Sequence, residues 1–143
     1  MKISILIAGK KAFTIPADFN IPQLVDQLVT LKVGALVVSS DGKKIDGIVS
    51  ERDVVAGLAR HFDELSGLHV RDIMTVNVTT CTLDSTVAEL MSIMTAHRIR
   101  HIPVVDNSGN LLSIISIGDI VKSHVSEIDS ERMALADYLH NPR

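Results

Sequence analysis

The chain has 143 residues, of which 46% are hydrophobic, 22% charged and only 3% aromatic, with a formal net charge of −3. That length supports one well-buried domain rather than two independent ones, and the slightly acidic balance argues against nucleic-acid binding as a main function. No apolar run approaches the roughly 18 residues of a membrane helix, and the single cysteine, Cys81, excludes an internal disulfide and suits a reducing cytoplasm.

The opening run Met1–Ala8 is apolar, but Lys10 and Lys11 stand where a signal peptide would carry a small-residue cleavage site, so it reads as a first β-strand. Ala12–Ile15 looks extended. Residues 21–32 then place Ile21, Leu24, Val25, Leu28 and Leu31 at helical spacing. Ala35–Val38 is a short apolar strand, Ser39–Gly42 has turn chemistry, Ile45–Val49 is another strand, and Ser50 opens a second helix through about Ala59. After a connector ending in Val70-Arg-Asp-Ile-Met-Thr75, the order returns. Asn77–Cys81 reads as a strand, residues 85–97 as a helix, Ile102–Val105 and Leu111–Ile115 as strands around the turn Asp106–Gly109, and Ser116 opens a last helix. The charged tail Glu127–His140, with Ile128, Met133, Leu135 and Leu139 interspersed, reads as a terminal helix that docks or mediates assembly.

The returning order is a duplication. Residues 11–60 lie over residues 77–126 at a constant offset of 66 without a gap, with identities at eight of 50 positions. Four of the eight fall in Ile48–Val55 against Ile114–Val121, a density that chance matching of Val and Ile does not produce. Duplication implies two similar units around a pseudo-twofold, with two related sites. The expected fold class is α/β (α+β): two β-α-β-β-α repeats over 8–62 and 76–126, a connector over 63–75 and a helical tail over 127–143.

Among the shared polar residues are Ser50-x-x-Asp53 and Ser116-x-x-Asp119, each where a strand meets a helix. Serine is a favoured N-cap, and an acid in the first turn complements the helix dipole, so one copy alone would be only a cap. Two copies after matched strands suggest more. A carboxylate there can accept hydrogen bonds from the vicinal hydroxyls of a ribose, while backbone N–H groups at the helix start suit an anion.

Gly47-Ile-Val-Ser-Glu-Arg-Asp53, Arg100-His-Ile-Pro-Val-Val-Asp106, Ser113-Ile-Ile-Ser-Ile-Gly-Asp119 and Val70-Arg-Asp-Ile-Met-Thr75 together resemble a tandem pair of CBS domains, over roughly residues 8–126. Met94–Pro103 and Ile115–Lys122 look like bacterial stand-alone CBS pairs. The resemblance implies crossed clefts, in which the Ser/Thr and Asp of one repeat hold a ribose and the other repeat holds base and phosphate. One cleft would combine Ser50 and Asp53 with Arg71, Val78, Thr79, Ile99, Arg100 and His101. The other would combine Ser116 and Asp119 with Phe13, Val33, Gly34 and Ala35. The second cleft departs from the family pattern: Gly34 and Ala35 stand where the first has Arg100 and His101, and Ser113 replaces the glycine that Gly47 supplies.

The resemblance implies a regulatory sensor, not an enzyme, that binds an adenine nucleotide (AMP first, with ADP, ATP, NAD or S-adenosylmethionine as alternatives) and passes energy or redox state to a protein target. It also implies a cytoplasmic homodimer joined through the apolar positions of 51–60 and 117–125. The competing reading is a structural dimerisation module with empty clefts, favoured for the second cleft by Phe13 and Ser113. Arg98, Arg100, His101 and His97 also read as a solvated helix end, and the direction of Arg52 is open. The six histidines and one cysteine lack metal-ligand spacing apart from His97/His101, which Pro103 and the helix end spoil. No nucleophile motif or catalytic cofactor site is present in the sequence.

Overall fold

A computed structural model of the chain describes residues 1–141. Its elements are α1 (Ile3–Leu6), β1 (Thr14–Ile15), α2 (Ile21–Leu31), β2 (Ala35–Val38), β3 (Gly47–Ser50), α3 (Glu51–Arg60), α4 (Val70–Ile73), α5 (Val87–His97), β4 (His101–Val105), β5 (Leu111–Ser116) and α6 (Ile117–His140). β1 runs parallel to β2, which pairs antiparallel with β3; β4 and β5 form an antiparallel pair.

Local chemistry sets the matched elements. Asn20 and Gln23 cap α2 reciprocally at 2.9 Å, and Thr86 and Glu89 cap α5 in the same way. Lys32 and Arg98 close the two helices in left-handed conformation (φ 56° and 54°), the only non-glycine residues with positive φ among those described. The hairpin turns use Asp41, whose carboxylate accepts the Lys43 and Lys44 amides, and Asp106, which accepts those of Ser108 and Asn110.

Two expectations are corrected. The N-terminal run is not a strand: Lys2 makes a single bridge to Thr86, and Ile3–Leu6 is helical. A four-to-eight-residue apolar run does not by periodicity distinguish a strand from a buried helical turn. Asn77–Cys81 is not a strand either, but a single parallel bridge of Cys81 to Val104, in the register of Ile15 to Val38. Cys81 receives its two hydrogen bonds, to Pro103 O (3.0 Å) and from Val105 N (2.9 Å), and there the ladder stops. Pro103 stands where β2 has Val37 and has no N–H for the next rung. The tail is helical, as its pattern predicts, and continuous with the helix that Ser116 opens. α6 runs unbroken for 24 residues, about 36 Å at 1.5 Å per residue, because no glycine or proline interrupts residues 119–141.

The cores are crossed. Ile3 of α1 is buried among Val87, Leu90, Met94, Ile102 and Ile115 of the second repeat. Val70 of the connector, with Leu65 and Leu68 beside it, packs into the first repeat against Ile21, Leu24 and Leu36. The docking bonds match: Ile3 N donates to Ser85 O (3.2 Å) and Val70 N to Phe19 O (2.8 Å). The connector is thus the second repeat's copy of α1, and each repeat is completed by the segment that precedes the other. A third cluster, Ala35, Val37 and Ile114 with Ile45, Ile48 and Leu111, joins the repeats.

Candidate functional site

Both Ser-x-x-Asp motifs cap their helices. Asp53 Oδ2 accepts the Ser50 amide (2.8 Å) and hydroxyl (3.2 Å); Asp119 Oδ2 accepts the Ser116 amide (2.9 Å) and hydroxyl (3.0 Å). The helix starts are tied inward by equivalent bonds, Glu51 N to Gly34 O (3.0 Å) and Ile117 N to Arg100 O (2.8 Å). The capping reading therefore holds at both sites. It uses one carboxylate oxygen, Oδ2, and leaves Oδ1 of Asp53 without a hydrogen bond among the described residues.

Around Asp53 lies a cavity of about 210 Å³ between the repeats. Of the residues expected in the first cleft, Ser50, Asp53, Val78, Thr79, Ile99, Arg100 and His101 all line it. Arg71 does not. It is the second residue of α4, exposed, with its amide donating to Ala17 O (3.0 Å). Gly34 and Ala35, expected in the second cleft, line this first cavity as well. The start of β2 meets the start of β4 near the pseudo-twofold: a Cβ on Gly34 would lie 3.1 Å from the His101 ring.

Two further cations join the wall, Arg52 and Arg98. Arg52 Nη1 donates to Arg98 O at 2.7 Å, fastening α3 of the first repeat to the left-handed end of α5 in the second. Three arginines, Arg52, Arg98 and Arg100, thus line the same cavity as Glu51 and Asp53. Burial holds the His101 imidazole below its usual range, helped by Lys10 and Arg100 and opposed by Glu51 and Asp119.

The second cleft is arranged differently. Its Asp119 carboxylate is bonded by the Lys10 ammonium, a residue that sequence reasoning did not place in either site. Extending the ungapped repeat by one residue would have found the asymmetry, since Lys10 aligns with Val76. Burial pushes the Asp119 carboxyl up, but Lys10 and Ser116 outweigh it and hold it below the usual carboxylate range. Phe13 is exposed, and Val33 is half-buried against the first core.

No group of three or more His, Cys, Asp or Glu side chains among the described residues could hold a metal ion. Burial pushes the Cys81 thiol up to about 11, away from nucleophilic use. No helix among the described residues is long and apolar enough to cross a membrane.

The CBS domain model matches residues 6–60 and again 70–126, and the chain belongs to the CBS-domain family. It is 34% identical over 126 residues to the mitochondrial CBS domain-containing protein CBSX3 of Arabidopsis thaliana, covering 85% of this chain and 61% of that one. The structure of a CBS-domain-containing protein from Agrobacterium tumefaciens superposes with a TM-score of 0.82 at 38% identity, over 87% of this chain and 99% of that one. A CBS domain protein from Pyrobaculum aerophilum, solved in complex with AMP, gives 0.73 at 29% identity, over 83% and 89%.

Proposed function

We propose that this CBS-pair protein is a regulatory module, without catalytic activity of its own, that binds an adenine nucleotide in the Ser50–Asp53 cleft and passes its occupancy to a protein partner. The observation that carries this reading is the cavity itself. A capped carboxylate with a free oxygen suits ribose hydroxyls, aliphatic Ile48, Val78 and Ile99 suit the faces of a base, and Arg98, Arg100 and His101 suit phosphate. With aromatic residues at 3% of the chain, a flat ring must be gripped by aliphatic side chains. The AMP complex of the Pyrobaculum relative makes AMP the first ligand to test. ADP, ATP, NAD and S-adenosylmethionine are the alternatives, and their identity decides whether energy or redox state is reported. A cytoplasmic setting is part of the same proposal, on the lone, buried, free cysteine.

We further propose a homodimer through α3 and α6. Val55, Leu58, Val121 and Val125 lie exposed along those helices. These exposed faces also favour the second reading, a dimerisation module with unused clefts.

A thermal-shift series with the five ligands separates the two readings. A ligand at 100 times its dissociation constant stabilises the fold by about 2.7 kcal/mol. A shift that disappears in Asp53→Ala supports the nucleotide module. No shift with any of the five supports the structural one.

A further inference from the structure

The two clefts differ in the segment that enters each from the other repeat. In the first, Thr75 pairs antiparallel with Ile48, through Ile48 N to Thr75 O (2.9 Å) and Thr75 N to Ile48 O (2.8 Å). Gly47 permits this approach, because a Cβ there would stand 2.8 Å from Thr75 O. The next residue, Val76, is exposed and uncharged.

In the second cleft, Ser113 holds the place of Gly47, fully buried and with its hydroxyl unpartnered. Among the described residues, no bridge joins the N-terminal segment to Ile114 as Thr75 joins Ile48. The segment turns away instead. Lys10 N donates to Ile7 O (2.9 Å) around Gly9, whose φ of +75° suits glycine although space for a Cβ is open. That turn delivers the Lys10 ammonium to Asp119 Oδ2, the oxygen that already accepts the Ser116 amide and hydroxyl.

We propose that Lys10 is a built-in occupant of the second cleft, its ammonium neutralising the Asp119 carboxylate and so competing with ribose for it, so that the chain binds one nucleotide rather than two. The inference rests on the reading that the Ser-x-x-Asp carboxylates bind ribose. It assigns the asymmetry to one side chain, since Val76 at the matched position offers no charge to Asp53. It also makes the N-terminal turn a gate, because whatever draws Lys10 away would open a second site.

Equilibrium dialysis with AMP, and with adenosine as a probe lacking phosphate, tests this on the full chain. The wild type should bind one AMP, lost in Asp53→Ala. Lys10→Met should bind two, with both adenosine and AMP reaching the new site, and Lys10→Met/Asp119→Ala should return to one. Lys10→Arg, which keeps the cation, should hold at one. Binding of one AMP by Lys10→Met, or two by the wild type, overturns the role of Lys10 and leaves the Asp53 cleft standing. Weaker binding in Lys10→Met overturns it too, by making Lys10 a ligand contact. Absence of binding in both proteins overturns the inference together with the nucleotide reading.

Discussion

Asp53 has two tasks in the structure, and they can be separated. As a cap, its Oδ2 holds the Ser50 amide at 2.8 Å and hydroxyl at 3.2 Å; as a proposed ribose acceptor, it offers Oδ1 to the cavity. Removing the carboxylate in Asp53→Ala deletes the capping interaction, and without ligand this should cost about 1 kcal/mol, the usual loss for a helix cap. Asp53→Asn keeps an oxygen acceptor for the Ser50 amide and gives up only the charge at the start of α3, worth about 0.3–1 kcal/mol. Ligand binding should rank the variants differently. Hydrogen bonds to a charged group contribute about 1.5–3 kcal/mol each, so Asp53→Ala should weaken AMP and adenosine alike by at least about tenfold. Asp53→Asn should lose much of that affinity while keeping most of its stability. Urea denaturation supplies the first ranking and calorimetric titration the second. If Asp53→Ala loses stability but binds AMP and adenosine as the wild type does, Asp53 is a cap and nothing more.

Arg100→Ala removes a cation proposed to meet phosphate and should weaken AMP by about tenfold or more, on the order of 1.5–3 kcal/mol, while sparing adenosine. Calorimetry with both ligands decides it, and an equal loss for the two assigns Arg100 to the nucleoside instead. Gly47→Ala would press a methyl group against Thr75 O at 2.8 Å and Met74 Sδ at 2.9 Å, and should destabilise by about 1–3 kcal/mol. Ser113→Ala should do the opposite, because its buried hydroxyl is unsatisfied and such a group costs about 1–3 kcal/mol; denaturation midpoints of the pair check the sign of each. The depressed His101 imidazole, facing Glu51, Lys10, Asp119 and Arg100, makes the unfolded chain bind the extra proton below its ordinary value near 6.5. Stability should therefore fall as pH drops from about 7 toward the lower folded value, and less so in His101→Gln, as followed by denaturation across that range. Val55→Asp and Val121→Asp should convert a dimer of twice 15.5 kDa into monomer by light scattering, and a wild type that is monomeric at every concentration removes the proposed interface.

Much of this protein is readable one neighbourhood at a time. The caps of α2 and α5, the Asp41 and Asp106 turns and the strand Ala35–Val38 depend on residues a few positions apart. The constant offset of 66 then makes each half evidence for the other, and Ser50-x-x-Asp53 with Ser116-x-x-Asp119 marks both clefts on that basis. What tertiary structure alone decided involves residues far apart in the chain. Ile3 is helical because the core around Leu90 and Ile102 receives it, and Val70 fills the matching place among Leu24 and Leu36. Gly34 and Ala35 face the first cavity because β2 and β4 begin side by side at the pseudo-twofold, where their membership of one repeat no longer assigns them to one cleft. Lys10 meets Asp119 across 109 positions, a distance over which no periodicity carries information. A repeat pattern predicts equal sites; side-chain volume at Gly47 and Ser113, and the charge of Lys10 where the matched position has the uncharged Val76, make them unequal once the chain is folded.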